Sequence, residues 1–385
     1  MKILITGGAG FIGAHLTIEL ISNGHEVIVL DKLSPQIHGA NKDKSYLFNL
    51  VKDKSIFIEG NILFSETLNE FIKEIDVVVH LAAETGTGQS MYNIYDYVNN
   101  NSLGTARILE MLVKCRNSVK KFVLASSRAI YGEGAYYCYD HNIVYPGSRS
   151  IDDMRNGDFE CKCPYCNSKI TPIPTNENSK VSPKSIYGIT KYNQEQLVKS
   201  VCASINVPYT IFRFQNVYGR GQSISNPYTG ILSIFSSLIM QNRKLNIFED
   251  GDESRDFIHV QDVVDSIIMD INSQSNNEVY NVGTGQRIKV IHIAQTLYNL
   301  FEKTENYEIS GDFRIGDIRH NYADIKNIQD KLGFNPRIKF DDGLKDLVNW
   351  INETVEIEEM KYENSIAEMK KLNLLIRKAT KDDKI

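Results

Sequence analysis

Tyr187-Gly188-Ile189-Thr190-Lys191 puts a phenol and an ammonium four residues apart, so on a helix both project from one face. An ammonium beside a phenol favours the phenolate by Coulomb attraction, which makes tyrosine a base usable near neutrality. Upstream, the apolar run Lys121 to Ala125 reads as a strand that delivers Ser126 and Ser127 at its tip. A hydroxyl at Ser127 can hydrogen-bond the same substrate oxygen and steady a developing carbonyl. Serine, tyrosine and lysine in that order suit proton removal from an alcohol while hydride leaves its carbon. The plainer reading makes Tyr187 an ordinary aromatic and Lys191 a solvated charge. An independent sign of a hydride carrier decides between the two.

That sign lies in the first thirty-one residues, which read as strand, glycine turn, helix and second strand. Lys2 to Thr6 carry the apolar run of a buried strand, and Gly7, Gly8, Gly10 and Gly13 follow, opening a helix from Phe11 to about Ser22. Glycines next to the strand leave no Cβ in the way of a pyrophosphate. Gly13 lets helix and strand pack closely while the helix N-terminus faces the anion. Asp31 ends the second strand, where a carboxylate accepts from ribose hydroxyls and repels a 2′-phosphate, favouring NAD over NADP. A chance glycine loop would lack this full context. An oxidised nicotinamide would also add positive charge beside Tyr187.

A second set of reactive residues falls between Ser127 and Tyr187. Cys138-Tyr-Asp-His141 and Cys163-Pro-Tyr-Cys166 are two pairs, each with two residues between the ligands, and together they offer four N/S donors of the kind tetrahedral zinc prefers. A small proline-bearing lobe has little core of its own, and a structural zinc would stabilise it. A merely thiol-rich loop is the alternative. Catalytic zinc is disfavoured because four protein ligands leave no open position. Cys161 is spare.

The elements that must position these groups alternate regularly. Ser55 to Glu59, Asp76 to Ala82, Lys121 to Ala125, Tyr209 to Phe214 and Glu278 to Val282 read as strands, with helices at Tyr92 to Arg116, Pro183 to Ser204, Ile231 to Asn242 and Gln261 to Asn272. The pattern predicts an α/β fold, a Rossmann-type doubly wound parallel sheet, with a smaller α/β C-terminal substrate domain and a Cys-rich insert. Residues 1–216 would form the dinucleotide domain, interrupted by the insert at 133–181. Residues 217–351 would form the substrate domain, discontinuous because its strands can return to the sheet, and 352–385 a charged peripheral helix or frayed tail. Leu33 and Ser34 fall where an adenine-side loop belongs. After the strand ending in HLAA, Ala82 and Ala83 should face the cofactor, and Thr85, Gly86, Thr87 and Gln89 the substrate.

A net charge of −5 with no long basic run argues against a nucleic-acid surface. No apolar stretch approaches a membrane span, and the chain starts directly on a core strand, so the expected location is the cytoplasm. Six cysteines there are read as thiols or metal ligands instead of disulfides.

Taken in order, TGGAGFIG, HLAA, Asn101 with Gly104-Thr105, SSRAIYG, YGITK, RFQNVYG and SRDFIHVQDVV resemble the extended short-chain dehydrogenase/reductase family, specifically its nucleotide-sugar epimerases and dehydratases. The resemblance covers about residues 1 to 350. It implies tightly held NAD, a nucleoside diphosphate sugar as substrate, and a homodimer in which the helices carrying Asn101 and Tyr187 pair across a two-fold axis. It extends the expected cofactor contacts to Phe11, Ile12, Lys32, Asn61, Ile62, Leu81, Asn101, Ser126 and Phe214. Asn61 stands where the family commonly has Asp, which touches an adenine contact and leaves the site in place. Asn216 and Arg255 resemble diphosphate-contacting positions, with Arg319 of GDIRH a further candidate; surface ion pairs are the alternative for these arginines.

The 4,6-dehydratases of the family carry Asp and Glu after the strand-tip hydroxyl, whereas this chain has Arg128 and Ala129. Water loss then lacks its acid and base, and oxidation with re-reduction at C4 is the better reading. ETGTGQSMYNI, SISNPYTG and the cysteine-bearing insert resemble the dTDP-L-rhamnose 4-epimerase subgroup, with a UDP or GDP sugar still open. A net oxidoreductase or decarboxylase on the same scaffold is the enzyme rival. A non-catalytic NAD sensor is the rival from another class, and it would have no need of a base.

Overall fold

The structure, a computed structural model, describes residues 1–64, 68–115, 119–224, 226, 228, 230–354 and 362–378. Seven strands form the central sheet: β1 (Lys2–Thr6), β2 (Glu26–Asp31), β3 (Ile56–Glu59), β4 (Val77–His80), β5 (Lys121–Ser127), β6 (Tyr209–Phe214) and β7 (Glu278–Val282). Their order is β7-β6-β5-β4-β1-β2-β3, and every neighbouring pair is parallel. The longer helices are α1 (Phe11–Ser22), α2 (Gly104–Cys115), α3 (Ile186–Ser204), α4 (Ile231–Met240), α5 (Val260–Ile271), α6 (Val290–Leu300), α7 (Phe340–Thr354) and α8 (Tyr362–Lys371).

Near-continuous apolar strands need cover on both faces, because each strand turns alternate side chains to opposite sides. On one face Ile3, Ile5 and Val79 pack against Leu16 and Leu20 of α1 and Val263, Val264 and Ile267 of α5. On the other, Leu4, Val78, Leu124 and Ile211 meet Ile108, Leu109 and Leu112 of α2 and Val198 of α3. The chain runs outward through β2 and β3, then returns to the other side of β1 with β4. That reversal opens a crevice at the carboxyl ends of β1 and β4, where doubly wound sheets bind ligands. A smaller core of α4, α6, α7 and the parallel pair Leu245–Ile247 with Tyr307–Ile309 stands over this edge.

Several elements differ from the sequence reading. The helix expected from Tyr92 begins as Ile94–Tyr97, passes through a π-helical stretch at Val98–Leu103 and continues as α2. Cys115 is its last described residue, so Arg116 lies outside the described part, as do Ser225, Pro227 and Thr229 of SISNPYTG. The helix expected from Pro183 starts at Ile186, because extended Ser185 caps it and its Oγ accepts from the Gly188 N–H at 3.1 Å. The insert forms a three-stranded antiparallel sheet, Tyr136–Cys138 between Asn142–Val144 and Thr171–Pro172. The tail is not simply peripheral. Met369 of α8 is buried, and Leu375–Ile376 pairs antiparallel with Phe313–Arg314.

Candidate active site

β5 carries Ser127 to the crevice, and α3 brings Tyr187 and Lys191 to the same place. Gly188 permits this approach, since a Cβ there would stand 2.6 Å from the Ala129 carbonyl oxygen. The Ser127 hydroxyl and the Tyr187 phenol line one cleft, close enough for the hydroxyl to act on the phenol's titration. Lys191 is buried, its Nζ donating to the Ala125 carbonyl at 2.8 Å and lying 5.9 Å from the Tyr187 ring centroid. Burial pushes the Tyr187 phenol up, while the Ser127 hydroxyl and the Arg128 charge pull it down. Burial also lowers the Lys191 ammonium to about 7, against the pull of Glu195. Burial thus works against the charged form of both groups, and Arg128 adds a further cation that favours the Tyr187 phenolate.

The glycine turn borders the same cleft, which encloses about 580 Å³. Gly7, Gly10, Phe11, Ile12, Gly13, Asp31, Lys32, Ser34, Asn61, Ile62, Leu81, Ala82, Ala83, Ser126 and Phe214 all line it, together with Ser127, Tyr187 and Lys191. Gly7 has φ of 72° and lies against β4's exit, where a Cβ would come within 2.7 Å of the Ala82 nitrogen. No side chain caps α1 at Gly10, so its first-turn N–H groups and helix dipole are available to a phosphate. Asp31 accepts from the Ala9 N–H at 3.1 Å and the Leu33 N–H at 2.9 Å, which holds its carboxylate at the end of β2. A bare cradle at a helix N-terminus, with a carboxylate at the next strand end, fits a dinucleotide.

Four expected contacts fall elsewhere. Leu33 is buried against Ala14 and Phe48 and offers the cleft no side chain. Asn101 is fully buried: its Oδ1 accepts from the Glu84 N–H at 2.7 Å and its Nδ2 donates to Thr190 Oγ1 at 3.0 Å. It thereby pins the loop after β4 to α3, and the π-helical stretch aims it there. Gln89 is engaged with Gln36 and the Tyr97 hydroxyl, although Thr85, Gly86 and Thr87 beside it line the cleft. Arg319 is corrected most clearly. It is 1% exposed, outside the cleft, and pairs with Glu160, Glu249 and Asp250, because the insert and the substrate half meet around it.

Asn216 and Arg255 do line the cleft. So do residues that the sequence reading did not single out as contacts: Arg128, Asn246, Phe248, Glu253, Arg314, Tyr362 and Met369. Arg314 lies over the Phe248 ring at 4.6 Å with its Nε buried and without a partner. Burial beside Glu249 raises the Glu253 carboxyl to about 8. These residues come from separated segments, and no local spacing marks them.

In the insert, the ligand atoms of Cys138, His141, Cys163 and Cys166 all lie within 4.8 Å of one another. Cys138 Sγ stands 3.7 Å from both His141 Nδ1 and Cys166 Sγ, and Cys163 Sγ 3.7 Å from His141 Nδ1. The spare thiol of Cys161 is buried in the lobe's core beside Tyr136. Cys138, Cys161, Cys163, Cys166 and Cys202 are free of disulfides. No helix among the described residues is long and apolar enough to cross a membrane.

The sequence profile of the NAD dependent epimerase/dehydratase family matches residues 3–150 and 159–283. A dTDP-L-rhamnose 4-epimerase of Burkholderia thailandensis is 32% identical over 359 residues, covering 92% of this chain and 96% of that protein. Among solved structures, the UDP-glucose 4-epimerase of Thermotoga maritima with UDP-glucose matches with a TM-score of 0.74 at 29% identity, over 92% of this chain and 100% of that one. The UDP-glucuronic acid 4-epimerase of Bacillus cereus, in complex with UDP-glucuronic acid and NAD, matches with a TM-score of 0.73 at 25% identity and the same coverage. Matched by that profile over more than half of its length, and by the Burkholderia enzyme along nearly all of it, the chain belongs to the NAD-dependent epimerase/dehydratase family.

Proposed function

We propose that the protein is an NAD-dependent nucleotide-sugar 4-epimerase acting on a dTDP-6-deoxyhexose such as dTDP-L-rhamnose. The observation that carries this reading is the convergence of Ser127, Tyr187 and Lys191 on the cleft that the glycine turn borders, with Arg128 and Ala129 where a water-eliminating enzyme needs carboxyl groups. Tyr187 takes the proton of the C4 hydroxyl, and Ser127 holds that oxygen as it becomes a carbonyl. NAD, when bound, would supply the nicotinamide chemistry that takes up and returns the C4 hydride. The 4-keto sugar turns over between the two transfers, and Tyr187 gives the proton back. Gly7, Gly10, Gly13 and the N-terminus of α1 would hold the pyrophosphate, and Asp31 the adenosine ribose. Denatured protein should release NAD(H), turnover should need no added cofactor, and product should have the mass of substrate. Stoichiometric NADH release, or a product lighter by one water, would reassign the reaction.

UDP-glucose in the Thermotoga relative and UDP-glucuronic acid in the Bacillus relative support a UDP sugar as the second reading. Mass spectrometry of nucleotide sugars co-purifying with the protein decides between dTDP and UDP. A homodimer belongs to the same proposal. Ile94, Tyr95, Val98, Leu103, Val113 and Ile189 are exposed, and all lie on the two helical segments that carry Asn101 and Tyr187. Light scattering should give twice the chain mass, and Ile189→Glu should lower it; a monomeric parent protein removes the assignment.

The insert completes the reading with one structural zinc held by Cys138, His141, Cys163 and Cys166. Three thiols and one imidazole converge without a disulfide in a lobe whose buried apolar side chains are few, as a metal-stabilised lobe requires. Elemental analysis of protein purified without added metal should find one zinc per chain, and Cys163→Ser should lose it. Zinc-free parent protein, or unchanged zinc in the variant, excludes the site.

A further inference from the structure

Resting on the nucleotide-sugar reading above, we propose that Arg128 grips the sugar-side phosphate of the substrate's diphosphate, making the residue next to the reacting serine a second anchor beside Arg255. Arg128 follows Ser127 at the tip of β5 and lines the cleft, where its Nε donates to Asn216 Oδ1 at 3.1 Å. Asn216 opens the short strand Asn216–Tyr218, which pairs in parallel with Phe257–His259, two residues beyond Arg255. The Asn216 amide holds Arg128, Arg255 lines the same cleft, and Arg128 feels the Arg255 charge. Burial first, and Arg255 second, lower Arg128 to about 9.

Three arginines buried outside this cleft show what the fold does with a guanidinium it means to neutralise. Arg149 forks onto Glu249 at 2.7 and 2.8 Å, Arg213 onto Glu195 at 2.8 and 2.9 Å, and Arg319 onto Asp250 at 2.7 and 2.8 Å. Arg255 instead spends its N–H groups on the carbonyls of Ser254, Ile318 and Arg319, with Asp317 no nearer than 3.8 Å. Among the described residues Arg128 has no carboxylate within ion-pair distance, only the neutral Asn216 amide. Two half-buried guanidinium groups lining one cleft, with the distant Asp317 of Arg255 as their nearest ion-pair carboxylate among the described residues, are a site for a multiply charged anion, and a guanidinium fork matches two phosphate oxygens. A sugar that must present both faces to one nicotinamide also needs its diphosphate held still while the ring turns. Arg128, adjacent in the chain to Ser127, sets that anchor at a fixed distance from the reacting carbon.

The test is calorimetric titration of the NAD-loaded protein and its Arg128→Met and Arg128→Lys variants with dTDP, dTMP, UDP and UMP. Loss of a charge-assisted contact should weaken diphosphate binding to Arg128→Met by about tenfold or more, with monophosphate binding changed by less than about twofold. Arg128→Lys should recover part of the loss, and NAD content should be unchanged in all three proteins. Equal weakening for mono- and diphosphates, or none for either, overturns the assignment. If the parent protein binds none of the four nucleotides, the nucleotide-sugar reading itself falls and takes this inference with it.

Discussion

Tyr187 stands between opposing influences, with burial holding its phenol protonated and Ser127 and Arg128 favouring the phenolate. Replacing it with phenylalanine keeps the ring that meets Tyr97 edge-on at 6.4 Å and removes only the proton acceptor. Tyr187→Phe should therefore cut turnover by at least about 100-fold while retaining NAD, measured by product formation and by nucleotide released on denaturation. Near-parent turnover would remove Tyr187 from the chemistry. His80 makes a stability prediction. It is buried between Thr6 Oγ1 at 2.7 Å and Thr105 Oγ1 at 2.9 Å, and burial together with Lys191 lowers it to about 3. The unfolded chain then binds the extra proton between that value and the ordinary 6.5, so this contribution is complete above 6.5 and fades as pH falls towards 3. The slope from one such proton is about 1.4 kcal/mol per pH unit. His80→Asn should be less stable overall, yet its unfolding free energy should fall less steeply over that window. Parallel pH profiles would show that His80 does not carry the effect.

At the scale of elements, the crevice depends on backbones that approach closely. Gly13 sits in the first turn of α1 where a Cβ would be 2.2 Å from the Gly7 carbonyl oxygen, and both partners are main chain. Neither can yield as a flexible side chain would, so Gly13→Ala must open the glycine turn. The expected result is a folded protein that retains much less NAD, read from the nucleotide released per chain. Full retention would mean that the turn adapts. The Ser185 cap makes a milder case at the start of α3. Ser185→Ala should cost about 1 kcal/mol in denaturant unfolding, the usual value of such a cap, and lower turnover because Tyr187 lies in the first turn.

For the molecule as a whole, the insert and the substrate half are joined around buried charges. Arg149 pairs with Glu249, Glu249 also pairs with Arg319, and Arg319 reaches Glu160 in the insert. The tail closes a different side: Tyr362 and Met369 line the cleft, and Leu375–Ile376 adds a strand beside Arg314. Removing residues 355–385 should therefore raise KM for the nucleotide sugar more than it lowers kcat, since no tail residue lies beside Ser127 and Tyr187 in the chemistry described above. Unchanged steady-state constants would return the tail to a peripheral role.

The amino-acid sequence by itself determined the parts whose physics is local. Apolar runs between glycine turns specify parallel strands, Gly7 to Gly13 specify the anion-binding helix start, and Tyr187 and Lys191 share a helix face by spacing alone. The clustering of Cys138, His141, Cys163 and Cys166 was legible for the same reason, since a two-residue separation aims both side chains of a pair at one point. Tertiary structure alone decided where charge is neutralised. Arg319 looked like Arg255 in sequence, yet three carboxylates from Glu160, Glu249 and Asp250 enclose it, while Arg255 is left facing the cleft. Arg128 read only as a missing acid, and its place between Ser127 and Asn216 exists because β5 and β6 end side by side, Ser127 against Phe214, two residues before Asn216. Asn101 likewise left the cofactor for the Glu84 backbone because a π-helical stretch rotates it inward. Which partner a buried polar group finds depends on segments far apart in the chain, and local spacing carries no record of that distance.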